Sequence, residues 1–132
     1  MITGSCHCGT VKWKCTDSLT EGVTACNCTL CSKYGALWYY GFIGEGMSYS
    51  GETKTYGHSA RHSAYHFCTN CGGLAFNVLN KPDEQGRRRM AINVRMADDP
   101  KAVAALPIDH FDGLDTFEDL PRDGKTVKDL WF

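Results

Sequence analysis

Hydrophobic and polar residues alternate in several short stretches of the chain, which is the pattern of half-buried β-strands. In the first stretch, Val11 and Trp13 face one side, whereas Lys12 and Lys14 face the other. Turns that contain glycine separate further β-prone stretches of strand length. These stretches cover residues 37–43, 47–51, 53–57, 74–78 and 90–94. The pattern predicts a mainly β protein, with residues 80–89 as a charged hairpin loop.

One segment has the features of a helix rather than a strand. Residues 98–106 begin with two aspartates, and Pro100 falls in the first turn, where its missing N–H costs nothing. Pro107 ends the segment, because proline disfavours the helical conformation in the residue before it. We therefore predict one short helix, followed by a tail, residues 108–132, that forms a strand and a loop capping the sheet.

Length and composition predict one domain of ordinary size, and the charge and the apolar runs argue against nucleic acid and membranes as partners. The chain has 132 residues, of which 42% are hydrophobic, so we expect a single domain over residues 1–132. The formal net charge of −1 gives no general attraction to nucleic acid or to an anionic membrane. No apolar run approaches the roughly 20 residues of a membrane span, and no signal-peptide pattern is present. We therefore expect a cytoplasmic protein that binds neither membrane nor nucleic acid.

Seven of the eight cysteines lie in three short clusters. The clusters are Cys6 and Cys8, then Cys26, Cys28 and Cys31, and finally Cys68 and Cys71. Cysteines this close rarely bridge each other without strain, and a reducing cytoplasm disfavours disulfides. One short turn can aim two thiolates at one soft, tetrahedral ion, so the clusters predict metal binding. The eighth, Cys15, is in phase with Val11 and Trp13 and is predicted to be a core residue, whereas His7 is predicted to lie at the surface.

Seven thiolates supply one complete zinc site and one incomplete site. The C-x-x-C-G sequence of Cys68 and Cys71 is a zinc knuckle, which is commonly completed by a second two-cysteine cluster, and Cys6 and Cys8 form the only one. Four thiolates leave no vacant position, so that zinc is structural. The remaining three-cysteine cluster needs a fourth ligand, and water or a substrate thiol can supply it. The alternative is that a side chain such as histidine closes this site and makes both zinc ions structural.

Other residues give further candidates for this site. His58, His62 and His66 recur every four residues, but the glycine and serines around them favour an extended segment. An extended segment separates the outer two by roughly 26 Å, so we do not expect one ion between all three. Candidate pocket residues, each with a surface or core position as the alternative, are Lys33, Tyr34, Trp38 and His110.

Five short motifs follow one another through most of the chain. They are G-x-C-x-C-G-x-V at residues 4–11, C-x-C-x-x-C with a later Gly-Ala at 26–36, F-C-x-x-C-G at 67–72, D-D-P at 98–100, and His110. In this order they resemble the glutathione-dependent formaldehyde-activating enzyme family, whose domain is also found in centromere protein V. The resemblance implies an antiparallel, tent-like, zinc-binding β fold with zinc knuckles. It also implies one zinc on Cys6, Cys8, Cys68 and Cys71, and a second on Cys26, Cys28 and Cys31.

The resemblance also implies an activity. In the enzyme that names the family, glutathione adds to formaldehyde to give S-hydroxymethylglutathione. We therefore expect a zinc-dependent carbon–sulfur lyase or synthase that acts on glutathione-type thiol adducts of a small aldehyde, with two Zn²⁺ per chain and glutathione as a co-substrate. In that case the three-cysteine zinc site is the catalytic one. The alternative is a zinc-binding module without turnover that binds a thiol, an aldehyde adduct or a macromolecular partner.

Overall fold

A computed structural model describes residues 1–19, 21–58 and 63–131 of the chain. Within these residues, eleven strands form one sheet, joined by two short α-helices and two 3-10 turns. The strands are β1 (Ile2–Ser5), β2 (Lys12–Cys15), β3 (Val23–Cys26), β4 (Trp38–Ile43), β5 (Gly46–Ser50), β6 (Thr53–His58), β7 (Ser63–Cys68), β8 (Leu74–Leu79), β9 (Arg89–Asn93), β10 (Ile108–Asp112) and β11 (Glu118–Asp119). The helices are α1 (Thr29–Tyr34) and α2 (Pro100–Val103), and the 3-10 turns are Val94–Met96 and Val127–Leu130. In the described ranges, no helix has both the length and the hydrophobicity that crossing a membrane requires.

The predicted mainly β fold is confirmed, and most neighbouring strands are antiparallel. Across the sheet the strands follow the order β1-β2-β5-β4-β9-β8-β7-β6, with β3 beside β4 and β10, and with β11 beside β10. Two pairs are parallel, β3 with β10 and β4 with β5. The predicted tail strand is thus β10, and it pairs Phe111 with Cys26 at the end of β3.

The sheet bends back on itself and so brings distant strands together. Five strand-to-strand steps separate β2 from β7, which would be about 24 Å in a flat sheet. Yet Sγ of Cys8, just before β2, lies 3.5 Å from Sγ of Cys68 at the end of β7. The sheet stays open, and its two halves lean together at this point, which agrees with the tent-like shape expected from the resemblance.

The prediction of one short helix is wrong, because α1 is a second one. Its N-cap is Cys28, whose sulfur accepts a hydrogen bond from the backbone N–H of Cys31 at 3.3 Å. A thiol therefore takes the role that serine, threonine, aspartate or asparagine usually plays. The helix ends at Gly35, which adopts a left-handed conformation with φ of 64° that glycine accepts without strain.

The predicted helix over residues 98–106 is present but shorter. Asp99 caps α2 by accepting from the backbone N–H of Lys101, and the helix stops at Val103. The carbonyl groups that follow are used elsewhere, because those of Ala104 and Leu106 accept hydrogen bonds from backbone N–H groups of the tail. The tail thus replaces the last helical turn that the sequence predicts.

The core has two parts, and the smaller one surrounds the three-cysteine cluster. The larger contains Trp13, Cys15 and Phe76, all fully buried, so the predicted core position of Cys15 is confirmed. Gly4 lies against the ring of Trp13 so closely that a Cβ there would overlap it, which explains the glycine at the start of the first motif. The smaller part includes Trp38, next to the three cysteines.

The D-D-P motif holds the first strand in place. The carboxylate of Asp98 accepts hydrogen bonds from the hydroxyl groups of Thr3 at 2.8 Å and Ser5 at 2.5 Å. These bonds, with the larger effect from Ser5, lower the pKa of Asp98. Because Ser5 directly precedes Cys6, the motif fixes the strand that leads into the first cysteine pair.

Candidate metal centres and the adjoining cavity

Cys6, Cys8, Cys68 and Cys71 form one cluster, which we call the four-cysteine cluster. Their sulfur atoms all lie within 4.8 Å of one another. Cys6 and Cys8 lie in the turn between β1 and β2, whereas Cys68 ends β7 and Cys71 lies in the turn to β8. The sulfur of Cys8 is 3.6 Å from that of Cys6 and 3.5 Å from that of Cys68. The structure therefore brings together the four residues that the sequence predicted as one site.

Hydrogen-bond donors of the backbone point at the sulfur atoms of this cluster. The N–H of Val11 lies 3.3 Å from the sulfur of Cys6, and the N–H groups of Asn70 and Cys71 lie 3.4 and 3.5 Å from that of Cys68. Donors of this kind stabilise thiolates and orient metal ligands. His7, between Cys6 and Cys8 in the sequence, is exposed as predicted.

Cys6 and Cys8 differ strongly in acidity. Burial raises the pKa of Cys6 to about 11, whereas hydrogen bonds, the largest from the Thr10 hydroxyl, lower the pKa of the exposed Cys8 to about 5. Like charges this close oppose one another, so four sulfur atoms ionise together only when a cation lies among them. The cluster therefore has the chemistry of a cation site.

Cys26, Cys28 and Cys31 form a second cluster, the three-cysteine cluster, whose sulfur atoms also lie within 4.8 Å of one another. Cys26 ends β3, Cys28 caps α1, and Cys31 lies in the first turn of that helix. The indole N–H of Trp38 donates to the sulfur of Cys31 at 3.3 Å, and the N–H of Cys28 donates to that of Cys26 at 3.5 Å. A hydrogen bond with Cys26, together with burial, raises the pKa of Cys31.

The sulfur–sulfur distances of the four-cysteine cluster match the geometry of zinc. A tetrahedral zinc with Zn–S bonds of about 2.3 Å holds its sulfur atoms about 3.8 Å apart. The sulfur–sulfur distances of 3.5 and 3.6 Å in the four-cysteine cluster are close to that value. All eight cysteines are free thiols, so neither cluster is locked in a disulfide. Thiolate ligands with N–H donors around them are typical of zinc, and both clusters could hold this ion.

A cavity of about 320 Å³ adjoins the three-cysteine cluster, because Cys26 forms part of its wall. Side chains from seven strands and from the turn before β11 line the rest, and most of them are aromatic or polar. Besides Cys26, the lining residues are Thr24, Tyr40, Ser63, Tyr65, Asn77, Leu79, Arg89, Phe111, Phe117 and Asp119. The four-cysteine cluster contributes none of them. Of the two clusters, the three-cysteine cluster is therefore the one that lies beside this cavity.

Phe117 enters the wall of the cavity with a left-handed backbone. Its φ of 57° is unusual for a bulky residue, which costs about 1–3 kcal/mol and persists only where the surroundings hold it. Its N–H donates to the carbonyl of Asp112 at 2.7 Å, and its ring packs edge-on against Phe111 with centroids 4.9 Å apart. More than half of the side chain, 57%, stays exposed. The turn before Phe117 thus presents an exposed ring at the mouth of the cavity.

Asn27 joins this turn to the three-cysteine cluster. Its side-chain NH₂ donates to Asp112 Oδ1 at 3.1 Å, and its carbonyl oxygen accepts from the N–H of Leu114 at 2.9 Å. The carboxylate of Asp112 also accepts from the backbone N–H groups of Asp115 and Thr116. These bonds, led by that from Asp115, lower the pKa of Asp112 to about 2. The asparagine between two cluster cysteines therefore fixes the turn that carries Phe117.

The predicted pocket residues have separate positions. Trp38 contacts the cluster directly through Cys31, although it is fully buried. Lys33 and Tyr34 lie on α1 and line a separate surface depression, and Nε2 of His110 lies 3.1 Å from Asp123 Oδ1. Neither Lys33, Tyr34 nor His110 lines the cavity.

The histidine series is only partly covered by the structure. His66 lies in β7, extended as predicted, where its ring stacks on Phe76 and its Nδ1 is 2.8 Å from the Thr53 hydroxyl. Burial lowers the pKa of His66. His62 and the side chain of His58 lie outside the described residues.

Sequence reasoning missed most of the cavity wall. Alternation along β4 could have predicted the place of Tyr40, because Tyr40 shares a face of the strand with Trp38 two residues earlier. Alternation along β10 likewise places Phe111 opposite to His110. Nothing in the local sequence marks Phe117, because its place depends on the bonds between Asn27 and the turn.

Asn27→Ala is expected to lower the zinc affinity of the three-cysteine cluster about tenfold, since residues that orient metal ligands have effects of this size. It should also lower the free energy of unfolding by about 1 kcal/mol, because two side-chain hydrogen bonds at an exposed site are lost. Competition with a chelator and urea unfolding measure the two effects. Thr29→Ala, at an exposed position at the start of α1, should match the wild type in both. A zinc affinity unchanged by Asn27→Ala would show that the asparagine does not position this cluster.

The fold and the two clusters define the class of protein: a mainly β protein with two cysteine clusters that could each hold a metal ion, one of them beside a cavity. A family model described as glutathione-dependent formaldehyde-activating enzyme matches residues 1–110. The chain belongs to this family, and the resemblance noted in its motifs is confirmed. A crystal structure of a Rhodobacter sphaeroides protein has a TM-score of 0.59 and 18% identity, covering 80% of this chain and 98% of that chain, which shows a shared fold. A sequence comparison with curated proteins found no match.

Proposed function

We propose that the protein binds two zinc ions and uses one of them for carbon–sulfur chemistry. The four-cysteine cluster holds a structural zinc, with all four positions filled by thiolates. The three-cysteine cluster holds the second zinc and lacks one protein ligand. The short sulfur–sulfur distances of the four-cysteine cluster and the N–H donors around both clusters support zinc binding. The four sulfur atoms of one cluster and the three of the other support the division.

The proposed reaction is the reversible addition of a glutathione-type thiol to a small aldehyde. The substrate sulfur forms a bond to the carbonyl carbon as the carbon–oxygen double bond becomes single, and the thiol proton ends on the carbonyl oxygen. Zinc, when bound at the three-cysteine cluster, lowers the pKa of a substrate thiol and supplies a Lewis acid. The chain itself supplies three thiolates that leave one position free, and a walled cavity that orients both reactants.

One observation carries the proposal: Cys26 belongs both to a three-sulfur cluster and to the wall of a cavity of about 320 Å³. A structural zinc needs no such access, and the four-cysteine cluster has no part in the cavity. Membership of the family supports glutathione and formaldehyde as the reactants. The clustered free thiols also suit a reducing compartment, and we place the activity in the cytoplasm for that reason.

Adduct exchange measured by NMR tests the proposed activity. The zinc-loaded protein is mixed with glutathione and formaldehyde, and the rate of exchange between free glutathione and S-hydroxymethylglutathione is compared with the uncatalysed rate. We expect at least a tenfold acceleration at micromolar protein. Exchange at the uncatalysed rate, with glutathione still bound, would instead support the module without turnover.

A further inference from the structure

The cavity at Cys26 continues into a second depression on the surface. This depression, which we call the groove, has a volume of about 290 Å³ and shares Tyr40, Leu79 and Arg89 with the cavity wall. Its other lining residues are Gly41, Phe42, Lys81 and Asp83. Together the two form one cleft, in which Cys26 lines only the cavity and Lys81 lines only the groove.

The cleft is much larger than a small aldehyde. A water molecule takes up about 30 Å³, so an aldehyde with two heavy atoms needs on the order of 60 Å³. Most of the cavity, and all of the groove, therefore remain for the thiol reactant. Its sulfur belongs at the three-cysteine cluster, and the rest of the molecule extends toward the groove.

Arg89 lies where the cavity meets the groove. It begins β9, and its guanidinium carbon lies 4.4 Å from the centre of the Tyr40 ring on the neighbouring strand β4. Stacking on a ring positions a guanidinium and leaves the N–H groups at its edge available to donate. No ion pair joins Arg89 to a carboxylate in the described ranges of the chain.

The charges around the groove favour an anion. Lys81 adds a second positive group to the wall. The carboxylate of Asp83 is engaged, since it accepts from Arg87 Nε at 2.9 Å and from the backbone N–H groups of Gln85 and Arg87. Its charge is therefore offset within its own loop, and Arg89 and Lys81 leave the groove positive.

We propose that Arg89 forms a carboxylate subsite, so that the cleft selects thiols that carry a carboxylate several bonds away from the sulfur. The inference rests on the proposed function, because it assigns the sulfur to the three-cysteine cluster. A planar guanidinium held on Tyr40 matches the two oxygen atoms of a carboxylate through paired hydrogen bonds. Arg89 acts as a specificity-determining residue, and Lys81 adds to the attraction without fixing an orientation.

Two thiols that differ only in their carboxylates test the subsite. Calorimetry of the zinc-loaded protein compares glutathione with glutathione diethyl ester, in which both carboxylates are esterified. The wild type should bind glutathione about 10- to 100-fold more tightly than the ester, as charge-assisted hydrogen bonds predict. Arg89→Gln should lose most of this preference, with the affinity for the ester unchanged, and the remainder reflects the attraction of Lys81. Raising the salt concentration should reduce the wild-type preference, because the ion pair is exposed to solvent.

Arg88→Gln is the matched control, since it removes a positive charge from the adjacent residue. Arg88 donates to the carbonyl of Leu79 at 3.3 Å and lines neither the cavity nor the groove, so this variant should keep the preference. Equal affinity of the wild type for both thiols overturns the subsite. A preference that survives Arg89→Gln undiminished, or that is also lost in Arg88→Gln, overturns it as well.

The exchange assay, run with both thiols, separates this inference from the proposed function. Equal acceleration with glutathione and its ester supports the function and overturns the subsite. A calorimetric preference for glutathione without acceleration of either reaction supports the subsite and overturns the function. If neither thiol binds, both proposals are wrong.

Discussion

Cys68→Ser is expected to remove the zinc of the four-cysteine cluster and to unfold most of the chain at 25 °C. The sulfur of Cys68 lies 3.5 Å from that of Cys8, and this pair joins β7 to the turn before β2. A structural zinc contributes about 10–16 kcal/mol in small zinc proteins, whereas whole domains are stable by only about 5–15 kcal/mol. Far-UV circular dichroism and the zinc content of the purified protein measure the effect.

Cys15→Ala is the control for this variant. Cys15 is also fully buried, but it lies in the larger core and outside both clusters. Its truncation should cost about 1–2 kcal/mol and leave two zinc ions bound. If Cys68→Ser kept two zinc ions and melted within a few degrees of the wild type, the four-cysteine cluster would not hold the fold together.

The clusters could be predicted from the sequence because their chemistry is local. Gaps of one or two residues place thiols within reach of one ion, whatever the rest of the fold. Joining Cys6 and Cys8 to Cys68 and Cys71 needed only a count of available partners, and the structure brings these four together. Strands such as β2 were equally local, since alternation over four or five residues defines them.

The second helix was missed because its signals are weak. Six residues are too few to show a helical repeat, and the N-cap is Cys28, a residue type that does not usually cap helices. The sequence therefore shows only the spacing of the three cysteines, whereas the structure shows that Cys28 and Cys31 lie at the start of a helix.

The cavity could not be predicted because its wall is assembled over long separations. Thr24 and Asp119 meet there although 95 positions separate them along the chain, and the sheet order that unites them includes two parallel pairs. Alternation assigns a face to each strand residue but does not say which strands face each other. The sequence accordingly predicts Arg89 as part of a charged loop, whereas the structure places it at the start of β9, beside β4.

Cys28→Ser is expected to remove the second zinc, abolish exchange activity and leave the fold intact. Loss of several kcal/mol of metal-assisted stabilisation of the transition state lowers the rate about 10³-fold. The fold survives because serine is among the preferred N-cap residues, so its hydroxyl can accept from the N–H of Cys31 as the thiol does. Zinc analysis, the exchange assay and thermal unfolding together check this prediction.

Cys28→Ala separates the two roles of this residue, ligand and helix cap. Both variants lose the same ligand, so they should lose zinc and activity to the same extent. Alanine cannot cap α1, so Cys28→Ala should be less stable than Cys28→Ser by about 1 kcal/mol. Two zinc ions in Cys28→Ser would contradict the assignment of the ligands. Collapse of the fold of Cys28→Ser would mean that the second zinc is structural too. In that case the three-cysteine cluster would no longer give a reason to expect catalysis at the cavity.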